Sequence, residues 1–483
     1  MTSIGVQVTT KLSSGPSNVG TPSGRLHIAG LTAYGPADRG VTVDSIAKFE
    51  ALYGGRTAYS SNAYDTARLY FEEGGNELVM SRVVGPAATK GALTLKDTAD
   101  VNTVKVEAKD PGTHSTDYTV QVTNNGATFD VTLRRAGTAL ITWSGLTSPA
   151  DFVQKSATNP YVTVTSLGSI TAAPGDSPKT LAATALAAGT DDRAAVTAQH
   201  HIDALALGSG AEGGAVAVPG YTVSQIGSLL AAHAAATGKI AILTLPSTST
   251  PEEAAAAAAG LAADPNGAYA GIFYPHLVIP DGGATRTISP EGYVAAVRAR
   301  AHRDVGFWQV PAGDRARTRW VLGTSTPIDT TVNDTLAESY VNGIVTTGSN
   351  VRLYGWQSLA TDRDNLGLLT ARDALNNLTL SVKQVLEPFV FSTNDGKGQL
   401  RSFVESAIVG VLDPIAKRNG FYALLDAEDQ EIDPGYKVVV DEALNPITAQ
   451  AENKVIASLS VRLAPTAQLI QVEIIKVPLA GTV

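Results

Sequence analysis

The hydrophobic period of this chain changes twice, and any fold it adopts must accommodate both changes. Between residues 25 and 84 apolar residues fall in strand and helix blocks. A short strand at 26–29 precedes a helix at 44–53 with Ile46, Phe49 and Leu52 on one side, capped by Asp44 or Ser45. A second helix at 63–73 carries Ala67, Tyr70 and Phe71, stops at Gly74-Gly75 and feeds a strand at 77–84. From 90 to 170 the period is two. Segments 101–108, 118–122, 128–134 and 139–143 alternate between Asn-Gly and Ala-Gly turns, the pattern of antiparallel β structure. Beyond 190 the first pattern resumes, with strands at 215–218, 239–245 and 270–273 and helices at 224–236, 251–263 and 291–300. An alternation that resumes after a hundred residues of another period describes one α/β domain split by an inserted lobe.

The last part reads as a strand at 351–356, helices at 364–386 and 398–419 with a strand at 389–391 between them, and strands at 436–441, 454–463 and 469–477. The expected class is multidomain, α+β with α/β. Residues 1–24 form a strand and flexible linker, 25–89 plus 191–345 a middle α/β domain, 90–190 an inserted β-rich outer lobe, and 346–483 a C-terminal α+β domain. The 483 residues amount to about three domains at ~150 residues each, so every part can bury a core.

Both ends are alternating strands without an obvious partner. Ile4, Val6 and Val8 share one face ahead of a Ser, Gly and Pro-rich tether to Gly24, and Val461, Leu463, Val472 and Ile474 alternate at the other end. A lone strand beyond a slack linker must pair with a sheet edge, in its own molecule or a neighbour's. The overall balance is acidic, 36 Lys plus Arg against 45 Asp plus Glu, yet residues 1–37 hold Lys11 and Arg25 and no acid. From residue 454 onward Lys454, Arg462 and Lys476 face only Glu473. Mildly cationic strands on an acidic body suit donation to another subunit, with completion of the chain's own sheet as the alternative.

Chemical motifs are sparse. Gly208-Ser-Gly-Ala-Glu-Gly213 matches the dinucleotide fingerprint in letters, but a strand follows it where the pyrophosphate-binding helix should begin, so it reads as a flexible loop. His200-His201 with Asp203 point in different directions and read as solvated or capping residues; the acidic run 426–431 reads as a solvated turn. There is no cysteine, no H-E-x-x-H, no G-x-S-x-G and no phosphate-binding G-x-x-x-x-G-K-[ST]. Catalytic, cofactor-binding and metal-binding residues are therefore expected to be none. The acidic balance argues against a nucleic-acid partner. No run approaches the ~20 apolar residues of a membrane span, and the N-terminus lacks the basic stretch and apolar core of a signal peptide. Folding where the chain is made is the expectation.

Five stretches in order carry a resemblance. Gly30-Leu-Thr-Ala-Tyr-Gly35-Pro36, Val43, Phe49 and Tyr53-Gly54-Gly55, followed by 67–71, Gly74-Gly75-Asn76 and 79–84, resemble the N-terminal signature of contractile tail sheath proteins. Tyr274-Pro275, Ser289-Pro-Glu-Gly292 with Arg300, and Gly306-Phe-Trp-Gln-Val-Pro-Ala-Gly313 are similar to its middle segments. Asn342-Gly-Ile344 with Val351-Arg-Leu-Tyr-Gly-Trp356-Gln-Ser-Leu359, and Glu387-Pro-Phe-Val-Phe391 with Arg418-Asn-Gly420, resemble its later ones, although Gln357 stands where the family has Arg. The resemblance spans about 30–463 and leaves out the insertion, where the family places a variable outward lobe.

What the resemblance implies is a structural subunit, not an enzyme, that polymerises as stacked hexameric rings around a tail tube and contracts to drive the tube through a target envelope. Its partners would be copies of itself, the tube protein, and baseplate and terminator proteins, with no cofactor, no direct nucleic acid and no membrane insertion. It would sit in a virion tail assembled in the bacterial host cytoplasm. Ile4, Val6, Val8, Val461, Leu463, Val472 and Ile474 are the candidates for strand exchange between subunits, and Arg401, Lys417 and Arg418 for a basic helix face against the tube. The competing readings are a nucleotide-binding α/β enzyme and a non-contractile tube or capsid protein.

Overall fold

A computed structural model describes residues 23–208, 212–347 and 350–468. The chain enters as β1 (Leu26–Gly30), passes β2 (Val41–Val43), α1 (Ile46–Tyr53) and α2 (Ser61–Glu72), and returns as β3 (Leu78–Arg82). Ser45 caps α1 by accepting from the Lys48 amide. β1 and β3 are buried at every position, as parallel strands covered on both faces must be.

The lobe follows: β4 (Ala92–Lys96), β5 (Asn102–Ala108), β6 (Tyr118–Asn124), β7 (Phe129–Arg135), β8 (Thr138–Leu146), α3 (Pro149–Ser156), β9 (Val162–Ser166) and β10 (Leu181–Ala185). They make two antiparallel sheets, ordered β4-β5-β9 and β10-β6-β7-β8. Inward positions such as Val104, Val120, Phe129, Val131, Leu133 and Phe152 form a core of the lobe's own. Thr89 and Thr190 bridge the two connecting strands. At this neck the buried Arg82 guanidinium donates to Asp191 at 2.6 Å and to the carbonyls of Gly35 and Pro111. β4, α3, β9 and β10 were not read from the alternation; β9 and β10 expose only Thr, Ser and Ala, which give little contrast with their inward positions.

The body resumes with α4 (Ala198–Ala206), β11 (Ala215–Ala217), α5 (Val223–Thr237), β12 (Ile240–Thr244), α6 (Pro251–Leu261) and β13 (Ala270–Tyr274). Next come the small sheet of β14 (Leu277–Asp281), β15 (Ala284–Ile288) and, across α7 (Glu291–Asp304), β16 (Gly323–Thr324). α8 (Thr330–Glu338), β17 (Val341–Thr347) and β18 (Asn350–Leu353) complete the central sheet, ordered β18-β17-β13-β12-β11-β1-β3-β2. Its six inner strands are parallel and its two edges antiparallel. In order of appearance the inner strands run 2-1-3-4-5-6, a doubly wound arrangement whose winding reverses between β1 and β11.

The chain closes with α9 (Arg363–Leu366), α10 (Leu369–Leu386), α11 (Gln399–Ala416), β19 (Leu424–Leu425), β20 (Glu431–Asp433), β21 (Tyr436–Val439), α12 (Ile447–Ala451) and β22 (Ser458–Val461). Two compact units result, Met1–Arg303 with Pro311–Asn376, and Asp304–Val310 with Asn377–Val483. The expected boundary at 345/346 therefore moves to 376/377, because β18 adds to β17 in the central sheet. The strand expected at 389–391 is replaced by a 3₁₀ turn over Glu387–Phe389, with Pro388 in the helical position it favours.

Candidate assembly surfaces

The start of the described chain, Ser23–Arg25, is held by buried charge. Arg298 of α7 is fully buried and grips Asp373 with two hydrogen bonds of 2.6 Å, and His302 approaches the same carboxylate at 3.2 Å. Burial pushes the Asp373 carboxyl up, and the Arg298 guanidinium and His302 overcome it, holding it at about 2. The guanidinium also donates to the Ser23 carbonyl, and His302 Nδ1 lies 3.0 Å from Ser23 Oγ. Gly24 runs so close to α7 that a Cβ there would stand 2.9 Å from Ala299 Cα. Arg25 pairs with Glu77, and the Tyr70 hydroxyl donates to the Gly24 carbonyl. The root at Ser23–Arg25 is thus fixed to α7, α2 and β3. Sequence reasoning missed Arg298, His302 and Asp373. The available signal was an Arg and a His four apart on a helix rich in Ala and Val, Tyr-Val-Ala-Ala-Val-Arg-Ala-Arg-Ala-His.

In the second unit α11 buries the stripe Leu400, Val404, Ile408, Leu412 and Ile415, spaced for one helix face, against Phe421 and Val440. Val461 faces Tyr436 across the β21–β22 hairpin and Leu463 bridges Phe421, and both pack on this core. These two residues are engaged within their own chain. Ile4, Val6, Val8, Val472 and Ile474 lie outside the described residues. The hairpins β19–β20 and β21–β22 are separate two-stranded sheets, so each presents unpaired outer edges among the described residues. Leu424, Leu425 and Ile432 are exposed on the first, and Phe391, Phe403 and Ile447 elsewhere in the unit.

The three candidate tube-facing cations do not share a helix face. Arg401 stands in the first turn of α11, only 14% exposed and paired with Glu442 at 3.2 Å. Lys417 caps the other end, about 24 Å away at 1.5 Å per residue, 73% exposed and paired with Asp413 at 2.6 Å. Arg418 lies past the helix, donates to the Val305 carbonyl and stacks on Trp308 at 5.3 Å. The expected basic face is instead two separated basic ends.

The described residues hold no group of three side chains suited to a metal ion, and no helix among them is long and apolar enough to cross a membrane. His200 closes the α4 capping box and His201 is buried with Nδ1 on the Thr197 carbonyl at 2.9 Å. The glycine loop, of which 209–211 lie outside the described residues, enters β11 at its amino end, where His27 Nε2 meets the Gly213 carbonyl at 3.1 Å. That is the opposite end of the strands from a dinucleotide crevice.

No family model and no curated protein matches the chain. Solved structures do match. The sheath tail protein of Desulfitobacterium hafniense is 16% identical with a TM-score of 0.56 over 90% of this chain and 94% of its own. The Listeria innocua sheath tail protein is 13% identical, with a TM-score of 0.62 over 87% of this chain and 89% of its own. The contracted sheath of an extracellular contractile injection system, the PVC complex, is 14% identical with a TM-score of 0.56 over 98% of both chains. The fold of this chain is that of tail sheath and contractile injection system sheath proteins.

Proposed function

We propose that this chain, which has the sheath-protein fold, is the structural subunit of a contractile sheath. It polymerises as stacked hexameric rings around a tail tube, and contraction drives the tube through a target envelope. The observation that carries the reading is likeness of fold along 98% of the chain to a sheath in its contracted state. A head-to-tail contact that does not close generates an open helical polymer. Rigid bodies joined by short tethers repack without local unfolding, and an extended state held by a barrier stores the energy that contraction releases. In this mechanism the subunit does no chemistry.

Strand exchange fits the layout. Ile4, Val6 and Val8 leave from a root clamped by Arg298, so tension on the arm reaches α7 directly. Val472 and Ile474 follow a C-terminal segment rooted by Val461 and Leu463, and the open hairpin edges of the second unit are acceptor sites for a neighbour's strand. Arg401, Lys417 and Arg418 are assigned to the tube, and baseplate and terminator proteins to the ends of the polymer. The assembled particle is a virion tail or an injection device built in the cytoplasm. Deleting residues 1–20 is expected to leave a folded subunit that forms no cylinders by negative-stain electron microscopy; cylinders from the truncated chain would overturn the exchange.

A further inference from the structure

The central sheet reverses its winding between β1 and β11, and in open doubly wound sheets the crevice at the carboxyl ends of the two strands flanking that reversal is where ligands bind. A cavity of about 130 Å³ lies at this place. Gly30 and Leu31 line it from the end of β1, Pro219 to Tyr221 from the end of β11, and Asn62 and Ala63 from the first turn of α2. Arg193, His201 and Tyr59 complete it.

Its polar groups are of two kinds. On the donor side, α2 begins without a side-chain cap, and Asn62 and Ala63 of its first turn line the cavity, which puts the positive end of the helix beside it. Arg193, stacked on Tyr59 at 3.5 Å, commits one nitrogen to Asp191 and keeps further N–H groups. On the acceptor side is His201, only 3% exposed and packed on Tyr221 at 4.6 Å. Its Nδ1 donates to the Thr197 carbonyl, which leaves Nε2 as a lone pair without a hydrogen-bond partner among the described residues. Burial lowers the His201 pKa and favours this neutral form.

We infer that this cavity binds a small oxyanion that carries its own hydroxyl, of the hydrogenphosphate class, with the anionic oxygens on Arg193 and the α2 terminus and the hydroxyl donating to His201 Nε2. A site with only donors would take any oxyanion; the lone pair of His201 Nε2 discriminates, because sulfate at neutral pH brings no proton to it. The volume fits one phosphoryl group and excludes a nucleotide. Neither the fold likeness nor the sheath reading calls for such a ligand, and the site stands or falls independently of assembly.

The test is calorimetric titration of the full chain with sodium phosphate and with sodium sulfate, at pH 7 and constant ionic strength in chloride. Phosphate is expected to bind about tenfold more tightly than sulfate. His201→Phe, which keeps the ring packing, is expected to abolish that preference, and Asn62→Asp to abolish binding of both anions. Asn62 is exposed and an acid in the first turn favours the helix, so the second variant folds even where the first does not. Glycerol phosphate, mostly a dianion without a P–OH at pH 7, is expected to bind no more tightly than sulfate, which assigns the site to the free anion; binding equal to phosphate would overturn the role given to the hydroxyl. Phosphate heat no larger than sulfate heat, or a preference unchanged in His201→Phe, would overturn the inference.

Discussion

Glu291 opens α7 fully buried, with Oε2 lacking a partner, and burial pushes its carboxyl up to about 7. The folded state therefore holds this proton more tightly than the unfolded chain, whose carboxyl titrates near 4.5. Its contribution to stability is complete below pH 4.5 and is lost as pH rises through 7. Glu291→Gln removes the penalty: it is expected to match the wild type at pH 4.5 and exceed it by about 3 kcal/mol at pH 8 in urea unfolding. A difference independent of pH would contradict the assignment. The tether root makes a second residue-scale prediction. Arg298→Met leaves the Asp373 charge buried without its guanidinium and is expected to cost about 3–5 kcal/mol, whereas Arg298→Met with Asp373→Leu recovers more than half of that loss. None of these groups was legible as a site in the sequence, since Arg298 and Asp373 lie 75 positions apart and only the folded chain brings them together. The capping role of His200 was legible, because a cap is a local device and the residues that make it are neighbours, whereas His201, expected to be solvated or capping, is buried against Tyr221.

At the scale of elements, period carried the assignment where one face is clearly wet. α1, α2, α7 and α11 stand close to where their spacing placed them, as do β5 to β8 of the lobe. It was less informative where exposed positions are small and neutral, which hid β9 and β10, and at 389–391, where an apolar run leaves a 3₁₀ turn over Glu387–Phe389 instead of forming a strand. The lobe has its own core and its ends are bridged at Thr89 and Thr190. Joining those two residues through a short Gly-Ser turn is expected to leave a body that unfolds cooperatively, and residues 90–189 expressed alone are expected to do the same; circular dichroism melts decide both. At the end of α11, Lys417→Glu breaks an exposed, solvent-screened pair with Asp413, so the fold should survive it. Weaker tube binding with a shallower salt dependence is the expected outcome, and unchanged sedimentation with the tube would remove Lys417 from the contact.

For the whole molecule, one sheet takes strands from both sides of the two antiparallel sheets at 92–185, and the changes of period in the sequence fall between them. The boundary at 376/377 was not readable, because β18 looks the same in sequence whether it completes the body's sheet or starts the next unit. Assembly is the property that the fold likeness leaves to experiment, and the proposed strand exchange assigns it to the two ends of the chain. The most direct measurement is a cryo-electron microscopy reconstruction of cylinders formed by the full-length chain. The account predicts six subunits per ring, with residues 1–20 and 469–483 of each lying as added strands on the hairpin edges of its neighbours' second units. Arms folded back on their own subunit, or a chain that stays dispersed at assembly concentrations, would contradict it.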